Sequence, residues 1–403
     1  MHIFSFEKKI IGGIEKNVNV LFFAIISVIA LLLRWAGRNF LSADMYGFLM
    51  PWYETLKNAG GVKGLGEQVG DYNVLFQTLI AFMTYLPVKN IYLFKALSII
   101  FDYLLAFSCA WMVSDLTGRK KFGSMFQVVY MVILFLPTVL LNSAWWGQCD
   151  VIYSFFVILM LYYLYKEKYL GAFIFFGVAF AFKFQTVFLL PFVICYYFYK
   201  KAFSICYLGI SVAVFWFSGI IAYFNGRELL DPFKIYASQT GTYQNMFLNV
   251  SSFWMLVGDN YEWMKSLAMQ MTLVLCGLGL YAVIRKHKKM RTIEQFLNTA
   301  TWFIWVCVMF LPAMHERYTY LLDILLILLA CINMKYLKYA ATSVLLSLVT
   351  YGAYLFGYGG IDKWHVLIYV GFWLHFTYTI MKQDLSESDV QENIQEIQKT
   401  DNN

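Results

Sequence analysis

The sequence predicts an all-α, polytopic membrane protein with about twelve transmembrane helices. Three observations carry this expectation. Of 403 residues, 61% are apolar, 20% aromatic and only 14% charged, and a soluble domain cannot hide that much apolar surface, whereas lipid solvates it. The apolar residues fall into runs of about 20, the length that crosses a hydrocarbon core. The basic residues cluster between those runs: Lys8, Lys9 and Lys16; "GRKK" 118–121; "YKEK" 165–168; "YKK" 199–201; "RKHKKMR" 285–291; and Lys335 with Lys338. Basic loops stay in the cytoplasm. With all of these clusters inside, the connections 37–90, "WWGQCD", "KFQ", 224–262, "MHERY" and "GYGGIDK" lie outside. The compositionally unusual segments then share one side.

The net charge of +7 follows from the same topological rule and implies no nucleic-acid partner. Six of the seven cysteines lie inside apolar runs, Cys149 stands at a span edge, and no CxxC occurs, so neither a disulfide framework nor a zinc site is indicated. The five histidines are scattered.

The predicted spans are 17–36, 91–114, 123–142, 149–165, 168–184, 186–200, 203–223, 264–285, 293–312, 317–333, 336–356 and 363–382, forming one membrane domain over 1–382 with both termini cytoplasmic. Residues 1–16 are charged and no small-residue cleavage site follows span one, so that span reads as retained. The segment "YNVLFQTLIAFMTYLPV", 72–88, is apolar enough to cross, but crossing would invert every later loop. It reads instead as a helix on, or dipping into, the outer leaflet. The polar tail 383–403 reads as disordered. No internal repeat is visible, which disfavours an inverted-repeat transporter.

The first external loop, 37–90, opens with "SADMYGFLMPWYETLKNAGG". Met45, Phe48, Leu49, Trp52, Tyr53 and Leu56 recur at helical spacing, Ser42 suits an N-cap, Gly60–Gly61 a stop, and Pro51 a bend. Asp44 falls in the first turn. It reads either as an acid complementing the helix dipole or as a general base facing an external cavity. Lys183 and Arg317 sit at outer span ends against the positive-inside trend; each alone reads as a snorkelling side chain, and both on one face read as a phosphate clamp. Lys95, Asp102 and Asp323 lie within spans and read as intrabundle partners.

These residues resemble the GT-C glycosyltransferases, membrane enzymes that use polyprenyl-phosphate sugars. "WWGQCDVIYSFF" resembles the "WGQxDxxY" stretch of the GPI-anchor second mannosyltransferase and its bacterial relatives. "AFKFQTVFLLP" is similar to the family's "FKxQ" element, "MHERYTYLLDILLILLA" to its "HER/HEK" element, and "TYQNMFLNVSSFWMLVG" to the "N-x-x-N-x-W" stretch. "GDYNVLFQ" stands where the N-glycan glucosyltransferases carry "DYPPLTA". Asn73 and Val74 replace the prolines, and Ser252 replaces the second asparagine.

The resemblance spans 34 to about 330 and implies a GT-C-type bundle whose first external loop carries two juxtamembrane helices. It implies Asp44 as catalytic base, and Lys183, Gln185, His315, Arg317 and Arg34 as binders of the donor phosphate, with Arg38 a further candidate. Asp150, Gln148, Trp146, Glu316, Asn249 and Tyr72 would position substrate. Trp145 and Trp146 read equally as interfacial anchors; Gln148 and Asp150 do not. A single acid at 44, without a neighbouring carboxylate, implies a metal-independent reaction and no cofactor. The implied activity is inverting transfer of a hexose from a polyprenyl-phosphate carrier to a glycan or lipid-linked acceptor, at the external face of a bacterial plasma membrane or the luminal face of the endoplasmic reticulum. A secondary transporter or lipid flippase, and a polysaccharide polymerase or ligase using a lipid-diphosphate donor, are the rival classes.

Overall fold

The computed structural model describes residues 4–285 and 287–400, with side chains through 383. In chain order the helices are α1 (Ser5–Ala36), α2 (Met50–Asn58), α3 (Val74–Met83), α4 (Asn90–Leu116), α5 (Ser124–Phe135), α6 (Pro137–Leu140), α7 (Asp150–Tyr165), α8 (Tyr169–Phe182) and α9 (Leu190–Lys200). There follow α10 (Tyr207–Phe217), α11 (Ile220–Tyr223), α12 (Asp231–Gln239), α13 (Trp254–Val257), α14 (Tyr261–Ile284), α15 (Ile293–Phe310), α16 (Tyr320–Ile332), α17 (Leu337–Phe356) and α18 (Lys363–Thr400). Among the described residues the strands are β1 (Phe247–Leu248) and β2 (Met314–His315), paired in parallel.

Among the described residues, five helical segments are long and apolar enough to cross a membrane: α1, α4, α14, α15 and Met334–Phe356, which contains α17. A sixth is formed if α5 counts with Pro137–Trp146, to which it is joined at a 50° bend. The other apolar runs carry shorter helices. α16, with 13 residues, rises only about 20 Å, short of the ~30 Å hydrocarbon core. Twelve unbroken spans are therefore not seen. Several runs are interrupted by extended or 3-10 backbone, as at Lys183, which is extended between α8 and a 3-10 turn.

At ten residues, α3 is too short to cross on its own. It is held as a buried brace, with Val74, Phe76, Ile80 and Ala81 inside. The tail expected to be disordered instead continues α18 as helix to Thr400, and residues 401–403 lie outside the described part.

The centre of the bundle is α15 and α16, buried along almost their whole length. α15 starts at a capping box in which Thr292 Oγ1 accepts from Gln295 N. α1 and α14 lie at the periphery with most side chains outward. α8 and α10 approach closely at Gly177, where an added Cβ would lie 2.5 Å from the Ser211 carbonyl oxygen. A small residue is what lets two apolar helices touch backbone to backbone. Inside the bundle, Arg34 of α1 donates from Nε to Asp102 Oδ2 of α4 at 2.7 Å and from Nη2 to the Leu134 carbonyl at 3.1 Å. Ser143 Oγ donates to the same Asp102 oxygen at 2.5 Å.

Candidate active site

Two π-helical stretches bring the site together. Pro51 has no N–H to give the Gly47 carbonyl, and the chain before it widens into a π stretch, Met45–Leu49, with Asp44 at its start. Ser42 Oγ accepts from Met45 N at 3.2 Å and donates to the Trp146 carbonyl at 2.8 Å, tying this loop to the second π stretch, Leu141–Trp146. That stretch ends at Gly147, whose φ of +76° suits glycine. The turn lets Gln148 N donate back to the Asn142 carbonyl at 3.0 Å and delivers Asp150 to the start of α7.

Asp150 is buried. Its Oδ1 is ion-paired with Lys183 Nζ. Its Oδ2 accepts from Asn142 Nδ2 at 2.9 Å and lies 3.5 Å from Arg317 Nη1. Arg317, in the turn between β2 and α16, donates from Nη1 to Gln148 Oε1 at 2.7 Å, and its guanidinium sits 5.1 Å from the Trp146 ring centroid. Gln148 Oε1 also accepts from Tyr72 OH at 2.8 Å.

Asp44 joins the same network. Its Oδ2 accepts from Trp146 Nε1 at 2.8 Å and Gln148 Nε2 at 2.6 Å, and lies 3.4 Å from Arg317 Nη2; its Oδ1 accepts from Tyr354 OH. Two carboxylates and two cations thus form one cluster, with Glu316 Oε1 a further 3.9 Å from Arg317 Nε.

β1 pairs Leu248 with His315, which fixes the "MHERY" segment. The Tyr243 ring packs edge-on against His315, centroids 4.2 Å apart. Burial, and then the nearby charges of Arg317 and Lys183, push the His315 imidazole down to about 3, so it is neutral at physiological pH. Burial likewise raises the Glu316 carboxyl above its ordinary value.

Lys183, Gln185, His315, Arg317 and Tyr72 line one cavity of about 1190 Å³. Its polar end also carries Gln68, Asp71, Gln239 and Tyr243. Away from that end the walls become apolar: Val187, Leu190 and Ile194 on one side, and Met269, Leu273, Cys276 and Leu280 of α14 on the other. The α14 residues recur at helical spacing, and from Lys265 to Leu280 they span about 22 Å at 1.5 Å per residue. Met269 and Leu273 are 48% and 68% exposed, so the groove is open along α14. Three buried atoms of cavity-lining residues lack a hydrogen-bond partner among the described residues: Gln185 Oε1, His315 Nε2 and Arg317 Nε. Buried polar groups are normally paired. A ligand that pairs these three must bring acceptor oxygens to Arg317 and a hydrogen donor to Gln185.

The structure brings together Asp44, Tyr72, Trp146, Gln148, Asp150, Lys183, Gln185, His315, Glu316 and Arg317. Three candidates lie elsewhere. Arg34 does not line the cavity; it is spent on Asp102 inside the bundle, because a guanidinium buried there must be paired. Asn249, at φ +46°, donates to the Thr350 carbonyl of α17 at 3.1 Å and accepts from Ile361 N at 3.4 Å, tying its own loop to α17 and to the connection after it without lining the cavity. Arg38 is also outside, lying over the Trp35 ring. Lys95, expected to pair within the bundle, donates to the Gly37 and Phe40 carbonyls, capping the end of α1.

Sequence reasoning missed Tyr354 and Asn142. Tyr354 lies 310 positions from Asp44, and only its place near the end of an apolar run could have pointed to it. Among the described residues no group of three or more His, Cys, Asp or Glu side chains is placed to hold a metal ion. The chain matches no protein-family model, and a search of curated proteins finds no match.

His315 gives a pH prediction. The unfolded imidazole binds its proton near pH 6.5 and the folded one only near 3. Between these values the unfolded state holds more protons, so stability is full above about 6.5 and falls as pH drops through the window. His315→Gln removes this dependence. Its thermal midpoint in detergent should fall less than that of wild type between pH 7 and pH 5, by the equivalent of ~2 kcal/mol. Equal losses in both proteins would show that the imidazole is not held neutral.

Proposed function

We propose that this chain is an inverting glycosyltransferase of the GT-C type, moving a hexose from a polyprenyl-phosphate carrier to an acceptor hydroxyl at the external face of a bacterial plasma membrane. The observation that carries this reading is the form of the cavity. A cationic end with Lys183 and Arg317 continues into an apolar groove that is open along α14. A lipid phosphate has the same two parts. The orphan atoms of Gln185, His315 and Arg317 support a head group that offers both phosphate oxygens and hydroxyls.

In this reading the donor phosphate lies against Lys183 and Arg317, with neutral His315 donating from Nε2. The acceptor oxygen attacks the anomeric carbon, the bond from that carbon to the phosphate oxygen breaks, and its electron pair leaves with the lipid phosphate. Asp44 takes the acceptor proton. Lys183 and Arg317 meet the charge that develops on the leaving oxygen. Asp150 stays ionised between them and fixes their positions. Lys183 and Arg317 are held by Asp150 and Asp44, so both cations stay fixed as the donor binds. No step calls for a metal ion.

The corresponding topology has twelve membrane segments, the shorter helices crossing as parts of tilted or broken runs, and the site outside. A cysteine introduced near residue 88 should then react with a membrane-impermeant thiol reagent on intact cells, and one near residue 120 should be protected. Labelling at 120 would invert the later loops and remove the shared external side.

The activity is tested by incubating purified protein with polyprenyl-phosphate glucose, mannose and galactose and glycoside acceptors. Asp44→Asn preserves the size of the side chain but cannot take a proton at neutral pH, and transfer should fall by about two to four orders of magnitude. Asp150→Asn should weaken substrate binding and leave residual turnover. Near-normal turnover in Asp44→Asn beside a dead Asp150→Asn would exchange the two roles.

A further inference from the structure

The four donors gathered on Asp44 are not equivalent. Trp146 and Gln148 are buried and belong to the frame around Gly147. Arg317 is held at the same time by Gln148 and Asp150. Removing any of these from Asp44 would leave a buried polar group or charge unpaired, which is costly.

Tyr354 differs. It lies in the last outer turn of α17, is only partly buried, and its hydroxyl makes no other hydrogen bond among the described residues than the one it donates to Asp44 Oδ1. Its ring stacks on Trp146 with centroids 4.4 Å apart and planes 16° from parallel, a contact that does not depend on the hydroxyl. The chain just beyond turns through Gly357, Gly359 and Gly360, all at positive φ, and carries the 77% exposed Tyr358. Asp44 does not line the lipid-phosphate cavity, and Arg317, which does, stands between them. An incoming hydroxyl can therefore reach Asp44 without breaking the buried frame only at Oδ1, where the Tyr354 hydroxyl now sits.

We infer that the Tyr354 hydroxyl holds the place of the acceptor hydroxyl on Asp44, so that the acceptor subsite lies at the outer end of α17, across Arg317 from the lipid groove. The inference rests on the transfer reaction proposed above and adds where the second substrate binds. The subsite takes an alcohol, the hydroxyl of a glycan. That hydroxyl displaces the phenol, donates the same hydrogen bond to Oδ1, and gives up that proton to Asp44 as its oxygen attacks the anomeric carbon. The phenol swings toward the exposed Tyr358 turn. Tyr354 touches no reacting atom and acts through Asp44 as a positioning residue.

The test is Tyr354→Phe, with short-chain polyprenyl-phosphate hexoses as donors and octyl glucoside and octyl mannoside as acceptors. Phenylalanine retains the stacking on Trp146 and removes the competing donor. The acceptor KM should fall by about tenfold, the scale of one hydrogen bond to a charged group, while the donor KM stays within about twofold. An unchanged or raised acceptor KM with a lowered kcat would overturn the inference, since Tyr354 would then only orient the base. A shifted donor KM with the acceptor KM unmoved would overturn it too, by placing the residue on the donor side. A wild type active on these probes with an unaffected variant sinks the inference alone. A wild type that turns over none of the pairs removes the transfer reading, and the inference with it.

Discussion

A carboxylate inside an apolar bundle must be paired or protonated, and the arrangement of this protein turns on how Asp150 is paired. Its two oxygens hold Lys183 from the break after α8 and Arg317 from the turn before α16, while Asn142 reaches it from the π stretch ahead of α7. Three connections distant in sequence are thereby locked together at one end of the bundle. Arg317 extends the lock to Gln148 and Asp44, and so to the first external loop. Replacing both Lys183 and Arg317 would strand the buried charge of Asp150. The cluster therefore sets the positions of Lys183, Arg317 and Tyr72 at the cavity wall.

The same physics explains what the sequence made legible. Composition and basic loops point to a membrane bundle because lipid and the cytoplasm sort residues by simple rules. Lys183 and Arg317 stood out because they break one of those rules, and Asp150 because an acid at a span edge needs a partner. The lengths of the helices were less legible. Pro137 bends the expected span 123–142 by 50°, and the expected span 203–223 is divided into α10 and α11 at Gly219. Arg34 was misplaced for a related reason: its position at a span end resembles that of Arg317, but Asp102, 68 residues on, takes it into the bundle. Nor could spacing reveal that Tyr354 closes on Asp44, because the loop after α1 and the end of α17 meet only in the fold, around Trp146. Asn249 illustrates the opposite error. A residue within a suggestive motif proves to fasten loops.

The site has two faces joined by one guanidinium. Arg317 lines the groove with Lys183, His315 and Gln185, and its Nε has no hydrogen-bond partner among the described residues. Behind it, the same side chain steadies Asp44. An enzyme that joins a lipid-borne donor to a second substrate needs both faces, with the charge that develops on the leaving group sensed where the base is held. A passive lipid carrier has no comparable need for a carboxylate supplied with four donors.

The claim that a lipid phosphate occupies this cavity through Lys183 and Arg317 is tested most directly by equilibrium binding of farnesyl monophosphate and farnesol to purified wild type, Lys183→Met and Arg317→Met. The account predicts that wild type binds the phosphate more tightly than the alcohol. Each substitution should weaken phosphate binding by at least about tenfold, the scale of one charge-assisted hydrogen bond, and leave farnesol binding unchanged. Equal affinity of wild type and both variants for farnesyl monophosphate would contradict it.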